Sequence, residues 1–203
     1  EERFLEAHLR YHYDAGIRRV FLFLDGSEDR SREISERFEW IDIIEIPAEE
    51  KSRHPYICDL HRACMEIAKD WAHEEGWDWL LCIDPDEFVI ARPELLDGGD
   101  RAGAMDLRGL LGRVDTGIHQ VRIPTWEAVP EEGRKWWELT GFQTDDQVSY
   151  LLPGEGERSR GFLGHRQGKS IIRTGVRVQA YDSHRWVIDQ RHWGAERPEF
   201  ADI

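Results

Sequence analysis

Along the first 90 residues of the chain, stretches with the apolar spacing of a helix alternate with short, nearly continuous apolar runs typical of buried strands. Helical spacing over residues 2–15, closed by Gly16, predicts a first helix. The nearly continuous apolar run at 19–24 predicts a short strand buried on both faces, as in a parallel sheet. The chain therefore opens with a helix followed by a buried strand.

Two further helix–strand pairs follow before residue 90. Spacing and capping residues predict a helix from Asp29 through Ile34 and Phe38, a strand at 41–46, a helix from Pro55 to Gly76 and a strand at 79–83. The apolar face of the longest helix is predicted to comprise Ile57, Leu60, Cys64, Ile67, Ala68 and Trp71. This alternation predicts an α/β fold, with a mostly parallel sheet flanked by helices.

The second half of the chain is less regular. Strands are predicted at 118–123, 170–181 and 186–188, and the polar, glycine-rich stretch 130–160 is predicted to form a loop or lid. No repeat and no clear linker divides the chain, so we expect a single domain over 1–203.

The net charge of the chain argues against some classes of binding partner. The chain has 27 Lys and Arg against 41 Asp and Glu, a formal net charge of −14. This argues against nucleic-acid binding and against a polybasic membrane patch, because both need clustered cations. No apolar run is long enough to span a membrane, so we expect no integral membrane segment.

Cys58, Cys64 and Cys82 show no CxxC spacing, which favours reduced thiols and a cytoplasmic location, either in solution or peripheral to the membrane.

Two acidic turns follow predicted strands. Asp25-Gly26-Ser27-Glu28-Asp29 follows the first strand and Asp84-Pro85-Asp86 follows the third. In a parallel sheet, ligands bind at the edge formed by the carboxyl ends of the strands. The carboxylates of Asp84 and Asp86 are hard oxygen ligands that suit Mg²⁺ or Mn²⁺. The alternative is an ordinary solvated turn, since acidic residues are frequent in this chain.

The segments YHYDAGIRRVFLFLDGSEDRSREI and DWLLCIDPDEFVI, which carry these turns, resemble family 2-like glycosyltransferases of the GT-A fold. In particular, they resemble the bacterial branch with an IDxDEF core. The resemblance covers roughly residues 5–90 and implies a GT-A-like, Rossmann-like sheet. It also implies a nucleotide-binding half at 1–90 and an acceptor-side half at 91–203. Members of the family begin with a strand before the first helix, and this sequence starts at that helix, so we expect the first family strand to be missing here.

The resemblance also implies roles for particular residues. Asp25 and Ser27 would contact the nucleotide, while Asp84 and Asp86 would hold the Mn²⁺ or Mg²⁺ that bridges the donor diphosphate. His184 is a candidate further metal ligand, because neutral imidazole suits Mn²⁺.

The implied reaction moves a sugar from a nucleotide-diphosphate donor, UDP-linked in the first instance, to a hydroxyl of a glycan, a lipid-linked or another acceptor. A metal ion offsets the negative charge that develops on the departing diphosphate. Asp146, in Thr144-Asp145-Asp146-Gln147, resembles the family's catalytic base, and the alternative is that its carboxylate only favours a helix start. Lys169 and Arg173 are candidates for diphosphate contacts or are ordinary surface cations.

Two other functions fit part of the sequence. A phosphohydrolase of the haloacid-dehalogenase type would use Asp84 as nucleophile and Asp86 as acid and base beside Mg²⁺. In that family, however, the motif lies on the first strand of the fold. A non-catalytic carbohydrate-binding module is supported only by the nine tryptophans, and it leaves both acidic turns unexplained.

Overall fold

The chain is a mixed α/β protein. The computed structural model describes residues 2–90, 106–124, 168–181 and 185–187 in full, and the backbone of short strands outside these ranges. The helices of these parts are α1 (Glu2–Asp14), α2 (Ser31–Ser35), α3 (Ala48–Arg53), α4 (Ile57–Glu74) and α5 (Leu107–Gly112). The strands are β1 (Val20–Leu24), β2 (Ile41–Glu45), β3 (Trp79–Leu81), β4 (Ile118–Ile123), β5 (Trp126–Ala128), β6 (Phe142–Thr144), β7 (Ser149–Leu151), β8 (Arg158–Arg160), β9 (Lys169–Arg173), β10 (Val178–Ala180), β11 (Trp186–Ile188) and β12 (Glu199–Asp202).

The first sheet consists of β1 and β2, which pair in parallel with Val20 opposite Ile41. Helices α1 and α2 cover one face of this pair, because Leu5 and Leu9 of α1 and Ile34 of α2 are buried against its apolar side chains. The predicted helix, strand and parallel pairing at the start of the chain are confirmed.

The second sheet has the strand order β12-β4-β9-β3. Strand β9 pairs antiparallel with β3 on one side and with β4 on the other, whereas β12 pairs parallel with β4. The buried side chains Leu107 and Leu111 of α5 pack on this sheet against Val121 and Ile171. The described strands thus form small sheets, and a single large, mostly parallel sheet stays a prediction.

Helix α4 covers the opposite face, but its buried residues differ in part from the predicted ones. They are Leu60, Met65, Ala68 and Ala72. Met65 packs against Trp186 and Ile172, and this contact turns the helix so that Ile57 and Ile67 remain exposed. Helical periodicity located the helix correctly, while its tertiary partners decided which stripe is buried.

Three other expectations are corrected by the structure, and one helix was not expected. Helix α2 ends at Ser35, before Phe38, and α3 is a short helix that no apolar periodicity indicated, since none of its residues is buried. The predicted strand 170–181 is two strands, β9 and β10, separated by a turn at Thr174 and Gly175. The stretch 130–160 contains the short strands β6, β7 and β8.

No helix among the described residues is both long enough and apolar enough to cross a lipid bilayer.

Candidate functional site

The two acidic turns lie on one cavity, although they are far apart in the sequence. We call this cavity of about 1400 Å³, bounded along its length by β1 and β3, the central groove. Its lining includes Asp25 and Ser27 beyond the end of β1, and Asp84, Asp86 and Lys169 beyond the end of β3. The structure therefore brings five of the predicted site residues to one groove.

The turn after β1 is held by charged contacts at both of its ends. The carboxylate of Asp25 forms an ion pair with Lys51 of α3. The carboxylate of Asp29 accepts hydrogen bonds from the backbone N–H of Ser31 at 3.0 Å and of Glu2 at 3.2 Å. Hydrogen bonds from Ser31 hold the pKa of Asp29 well below its usual range. Ser27, between these anchors, is exposed and lies outside helices and strands.

The turn after β3 is closed by Glu87, a residue that the sequence analysis did not single out. The Glu87 carboxylate accepts a hydrogen bond from the Asp84 backbone N–H at 2.9 Å, and the Glu87 N–H donates to the Asp84 carbonyl at 3.0 Å. Asp86 lies between them and is exposed. This geometry folds Glu87 inward and leaves Asp86 available to a ligand.

Lys169 is the buried cation of the site. Its ammonium lies 2.7 Å from Asp84 Oδ2 and 3.1 Å from Glu87 Oε2, and its side chain is only 7% exposed. The strand register explains this position, because Leu81 pairs with Ile171 and two further residues along β9 reach the end of β3. Before it, Gly168 has φ +64°, and a Cβ there would lie 2.0 Å from the Ile123 carbonyl oxygen, so a larger residue would force the backbone of β4 or β9 to shift.

The pKa values in this cluster depend on burial and on the opposite charges of Lys169 and the carboxylates of Asp84 and Glu87. Burial lowers the pKa of Lys169, but the carboxylates of Glu87 and Asp84 outweigh burial and the net shift is upward. Burial raises the pKa of Glu87, and Lys169 opposes that shift. Burial raises the pKa of the neighbouring Cys82 thiol to about 12, so this cysteine stays protonated and is a poor nucleophile.

Helix α1 fixes the segment that follows the second turn. The Tyr11 hydroxyl donates to the Val89 carbonyl at 2.6 Å, and the Val89 N–H donates to His12 Nε2 at 3.4 Å. Since Nε2 accepts, the proton of His12 is assigned to Nδ1, which lies 2.9 Å from the His8 carbonyl oxygen. Phe88 packs on the rings of Tyr11 and His12. The acidic turn is thereby attached to α1 as well as to β3.

His8 is buried beside this attachment, next to the rings of His12 and Phe88. Its side chain is 8% exposed, and its Nδ1 has no hydrogen-bond partner among the described residues. Burial, followed by the nearby His12, lowers the pKa of His8 to about 4. The main chain of Glu87 and the carboxylate of Asp84 oppose this shift. His8 is therefore neutral in the folded protein at pH 7.

We expect the free energy of unfolding to fall by about 2 kcal/mol between pH 8 and pH 5 on account of His8. An unfolded histidine binds a proton near pH 6.5, whereas folded His8 binds one only near pH 4, so its contribution is complete above 6.5 and is lost as the pH falls toward 4. Urea denaturation at several pH values measures this. His8→Gln removes this titration and should reduce the fall in stability, leaving the part due to His12, whose pKa burial also lowers, whereas His73→Gln, at an exposed position, should not reduce it. An unchanged profile in His8→Gln would show that other groups carry the pH dependence.

The described residues do not by themselves form a metal site. No group of three or more His, Cys, Asp or Glu side chains within the described ranges is placed to hold a metal ion. The carboxylates of Asp84 and Asp86 suit a hard cation in kind, but the Lys169 ammonium already lies on Asp84. The predicted further ligand His184 and the predicted base Asp146 lie outside the described residues. The expectation of Mn²⁺ or Mg²⁺ stays a prediction.

Arg173 takes a structural position away from the site. Its guanidinium donates to the Ile118 carbonyl at 2.9 Å and lies 4.1 Å from the centre of the Trp79 ring. The first contact is at the beginning of β4 and the second at the beginning of β3, the opposite end of β3 from Asp84. Of the two candidate cations on β9, only Lys169 lies beside the acidic turn.

Comparison with protein-family models, with curated proteins and with solved structures found no match for this chain. What the protein does is therefore inferred from the residues of its own groove.

Proposed function

We propose that the carboxyl-end edge of the central groove binds the diphosphate of a nucleotide-sugar donor, and that the protein is a metal-dependent glycosyltransferase. The donor is a UDP-sugar and the acceptor is a hydroxyl group. The observation that carries this proposal is the meeting of the two acidic turns and the buried Lys169 on one groove. An ordinary solvated acidic turn that binds no ligand would require neither a second acidic turn on the same groove nor a buried lysine beside it.

Each described residue has a separate task in this proposal. Asp25 and Ser27 contact the nucleotide at the end of β1. The Lys169 ammonium offsets negative charge on the diphosphate as it departs, since a cation in a partly desolvated site is worth more than one in water. Glu87 holds that ammonium in place through its 3.1 Å contact. A divalent cation bound at Asp84 and Asp86 supplies Lewis-acid stabilisation of the leaving group.

The remaining roles extend the proposal to residues outside the described ranges. Asp146 is the proposed base that removes the proton of the acceptor hydroxyl, and His184 is a proposed ligand of the cation. A cytoplasmic location accords with the free thiols of Cys58, Cys64 and Cys82.

Calorimetric titration of UDP, with and without Mn²⁺, tests the proposal. We expect UDP to bind only when Mn²⁺ is present, and the affinity to fall at least tenfold in Asp86→Asn, because this exposed carboxylate is a proposed cation ligand. Asp70→Asn is the matched control, since Asp70 is an exposed carboxylate that pairs with Lys69 on α4. It should bind UDP as the unmodified protein does.

Two outcomes would contradict the transferase. Equal UDP binding in Asp86→Asn and the unmodified protein would remove Asp86 from the site. If the protein ignored UDP and instead hydrolysed p-nitrophenyl phosphate with Mg²⁺, and Asp84→Asn abolished that activity, a phosphohydrolase with Asp84 as nucleophile would replace the proposal.

A further inference from the structure

Lys169 and a divalent cation would have to share one carboxylate of the central groove. The Lys169 ammonium donates to Asp84 Oδ2 at 2.7 Å, and Asp84 is also one of the two carboxylates of the proposed cation site. An ammonium and a divalent cation beside the same carboxylate repel each other, because both are positive and the distance between them is short. The protein therefore already holds a positive charge where the proposed function requires a metal ion.

Burial prevents this lysine from moving away into solvent. Its side chain is 7% exposed, whereas that of Lys51, which pairs with Asp25 at the other acidic turn, is 37% exposed. Lys169 is also the first residue of β9, where its pairing with Ile123 of β4 fixes the backbone. A surface lysine can leave its carboxylate for water at little cost, since its stem is flexible and its ammonium is strongly hydrated. The buried Lys169 lacks this escape, so its charge stays beside Asp84.

Glu87 also retains the ammonium at the groove. Glu87 Oε2 lies 3.1 Å from Lys169 Nζ and accepts a hydrogen bond from the Asp84 backbone N–H at 2.9 Å. Glu87 would therefore keep Lys169 at the turn even if Asp84 exchanged the ammonium for another partner.

The carboxylates of the turn differ in what they can offer a cation. Asp84 and Glu87 are both partly neutralised by the one ammonium, while Asp86 is exposed. A single carboxylate binds a hard divalent cation weakly, because such cations need several oxygen ligands. Mg²⁺ sites in proteins commonly reach that number with one or two carboxylates and the phosphate oxygens of the ligand.

A bound diphosphate would remove the repulsion between the two cations. Its oxygens can accept hydrogen bonds from the ammonium and can also coordinate the divalent cation. Negative charge placed near both cations offsets their repulsion with two attractions. The diphosphate and the divalent cation then each raise the affinity for the other, by the same factor.

We infer that Lys169 keeps Asp84 unavailable to a divalent cation in the free protein, and yields this carboxylate only when a diphosphate binds its ammonium. The inference rests on the proposed function, since it concerns the cation and the diphosphate of that site. It gives Lys169 a role beyond charge compensation, because the lysine makes cation binding depend on the nucleotide. If the cation merely bridged the carboxylates and the diphosphate, its affinity for the free protein would not depend on Lys169.

Titration of Mn²⁺ into the protein without nucleotide, followed by the electron paramagnetic resonance signal of free Mn²⁺, tests the inference. We expect Lys169→Met to bind Mn²⁺ at least tenfold more tightly than the unmodified protein, because the repelling ammonium is gone. Lys69→Met is the matched control, since it removes the same charge from α4, where Lys69 pairs with Asp70. Its Mn²⁺ affinity should equal that of the unmodified protein.

Two further variants separate charge from packing and folding. Lys169→Arg retains the positive charge and should bind Mn²⁺ as weakly as the unmodified protein. The double variant Lys169→Met with Glu87→Gln retains Asp84 and Asp86, so it should show the same gain as Lys169→Met and replaces that variant if it does not fold.

Repeating the titrations with saturating UDP distinguishes this inference from the proposed function. UDP should raise the Mn²⁺ affinity of the unmodified protein by a factor at least ten times larger than the factor in Lys169→Met. Equal Mn²⁺ affinities of Lys169→Met and the unmodified protein without UDP would overturn the inference and leave the cation site standing. No Mn²⁺ binding by any of these proteins, even with UDP, would overturn the proposed cation site and the inference with it.

Discussion

Replacing Lys169 with methionine is expected to lower the free energy of unfolding by about 2 kcal/mol and to weaken UDP binding at least tenfold. Methionine keeps the packing of the aliphatic stem but leaves Asp84 and Glu87 without their cation. A fully buried charge left without its partner costs about 3–5 kcal/mol. The expected cost is smaller here because the side chains of Asp84 and Glu87 are 48% and 32% exposed. Urea denaturation and calorimetry measure the two effects.

Two further variants distinguish the loss of the buried ion pairs of Lys169 from a nonspecific loss of stability. Lys69→Met removes an ammonium whose partner, Asp70, is 69% exposed, so no buried carboxylate is left behind and the cost should stay below about 1 kcal/mol. Adding Glu87→Gln to Lys169→Met removes one of the uncompensated charges and should recover part of the lost stability. If Lys69→Met and Lys169→Met cost the same, the buried cluster contributes nothing specific.

Replacing Trp186 with alanine is expected to lower the free energy of unfolding by about 4 kcal/mol, the largest single effect that we anticipate. Trp186 is 2% exposed and packs with Met65, Ile172 and Ala180, where β11 meets α4 and β9. Alanine would leave a cavity between α4 and β9, both of which contact β3. Urea denaturation with an unchanged m-value would show that the loss is in stability.

Phenylalanine at the same position should cost much less, about 1 kcal/mol, for two reasons. It fills most of the volume, and it removes an indole N–H that has no partner among the described residues. Trp77→Ala is the matched control, since Trp77 is 38% exposed and should cost no more than about 1 kcal/mol. A Trp186→Phe variant as unstable as Trp186→Ala would show that the indole N–H makes a hydrogen bond that stabilises the fold.

Local pattern predicted the first half of the fold well. Helix α1, strand β1 and helix α4 were predicted within a few residues of their observed bounds, because each is long or strongly apolar and ends near a glycine or proline. Helix α3 was missed, since a short helix of charged residues with no buried face has no hydrophobic periodicity to detect. The stripe that α4 buries was predicted only in part, because its partner Trp186 lies more than a hundred residues away.

The candidate site, too, could be predicted from the sequence only in part. The acidic turns after β1 and β3 could be predicted, since an apolar run followed by Asp, Gly or Pro marks the end of a buried strand. Glu87 was visible in the same string, yet its hydrogen bond to the Asp84 N–H depends on how the turn closes. The contacts of α1 with this turn through Tyr11 and His12 had no sequence signal, because both residues also fit an ordinary amphipathic helix.

By itself, the sequence determined most helices and strands of the first 90 residues and the two acidic turns, because these depend on interactions between residues close together in the chain. Only the tertiary structure decided that Lys169 pairs with Asp84 and Glu87, that α1 holds the segment after the second turn, and that both acidic turns lie on one groove. Such contacts join residues about 80 positions apart. Their geometry follows from strand register and helix packing, which no local pattern of residues specifies.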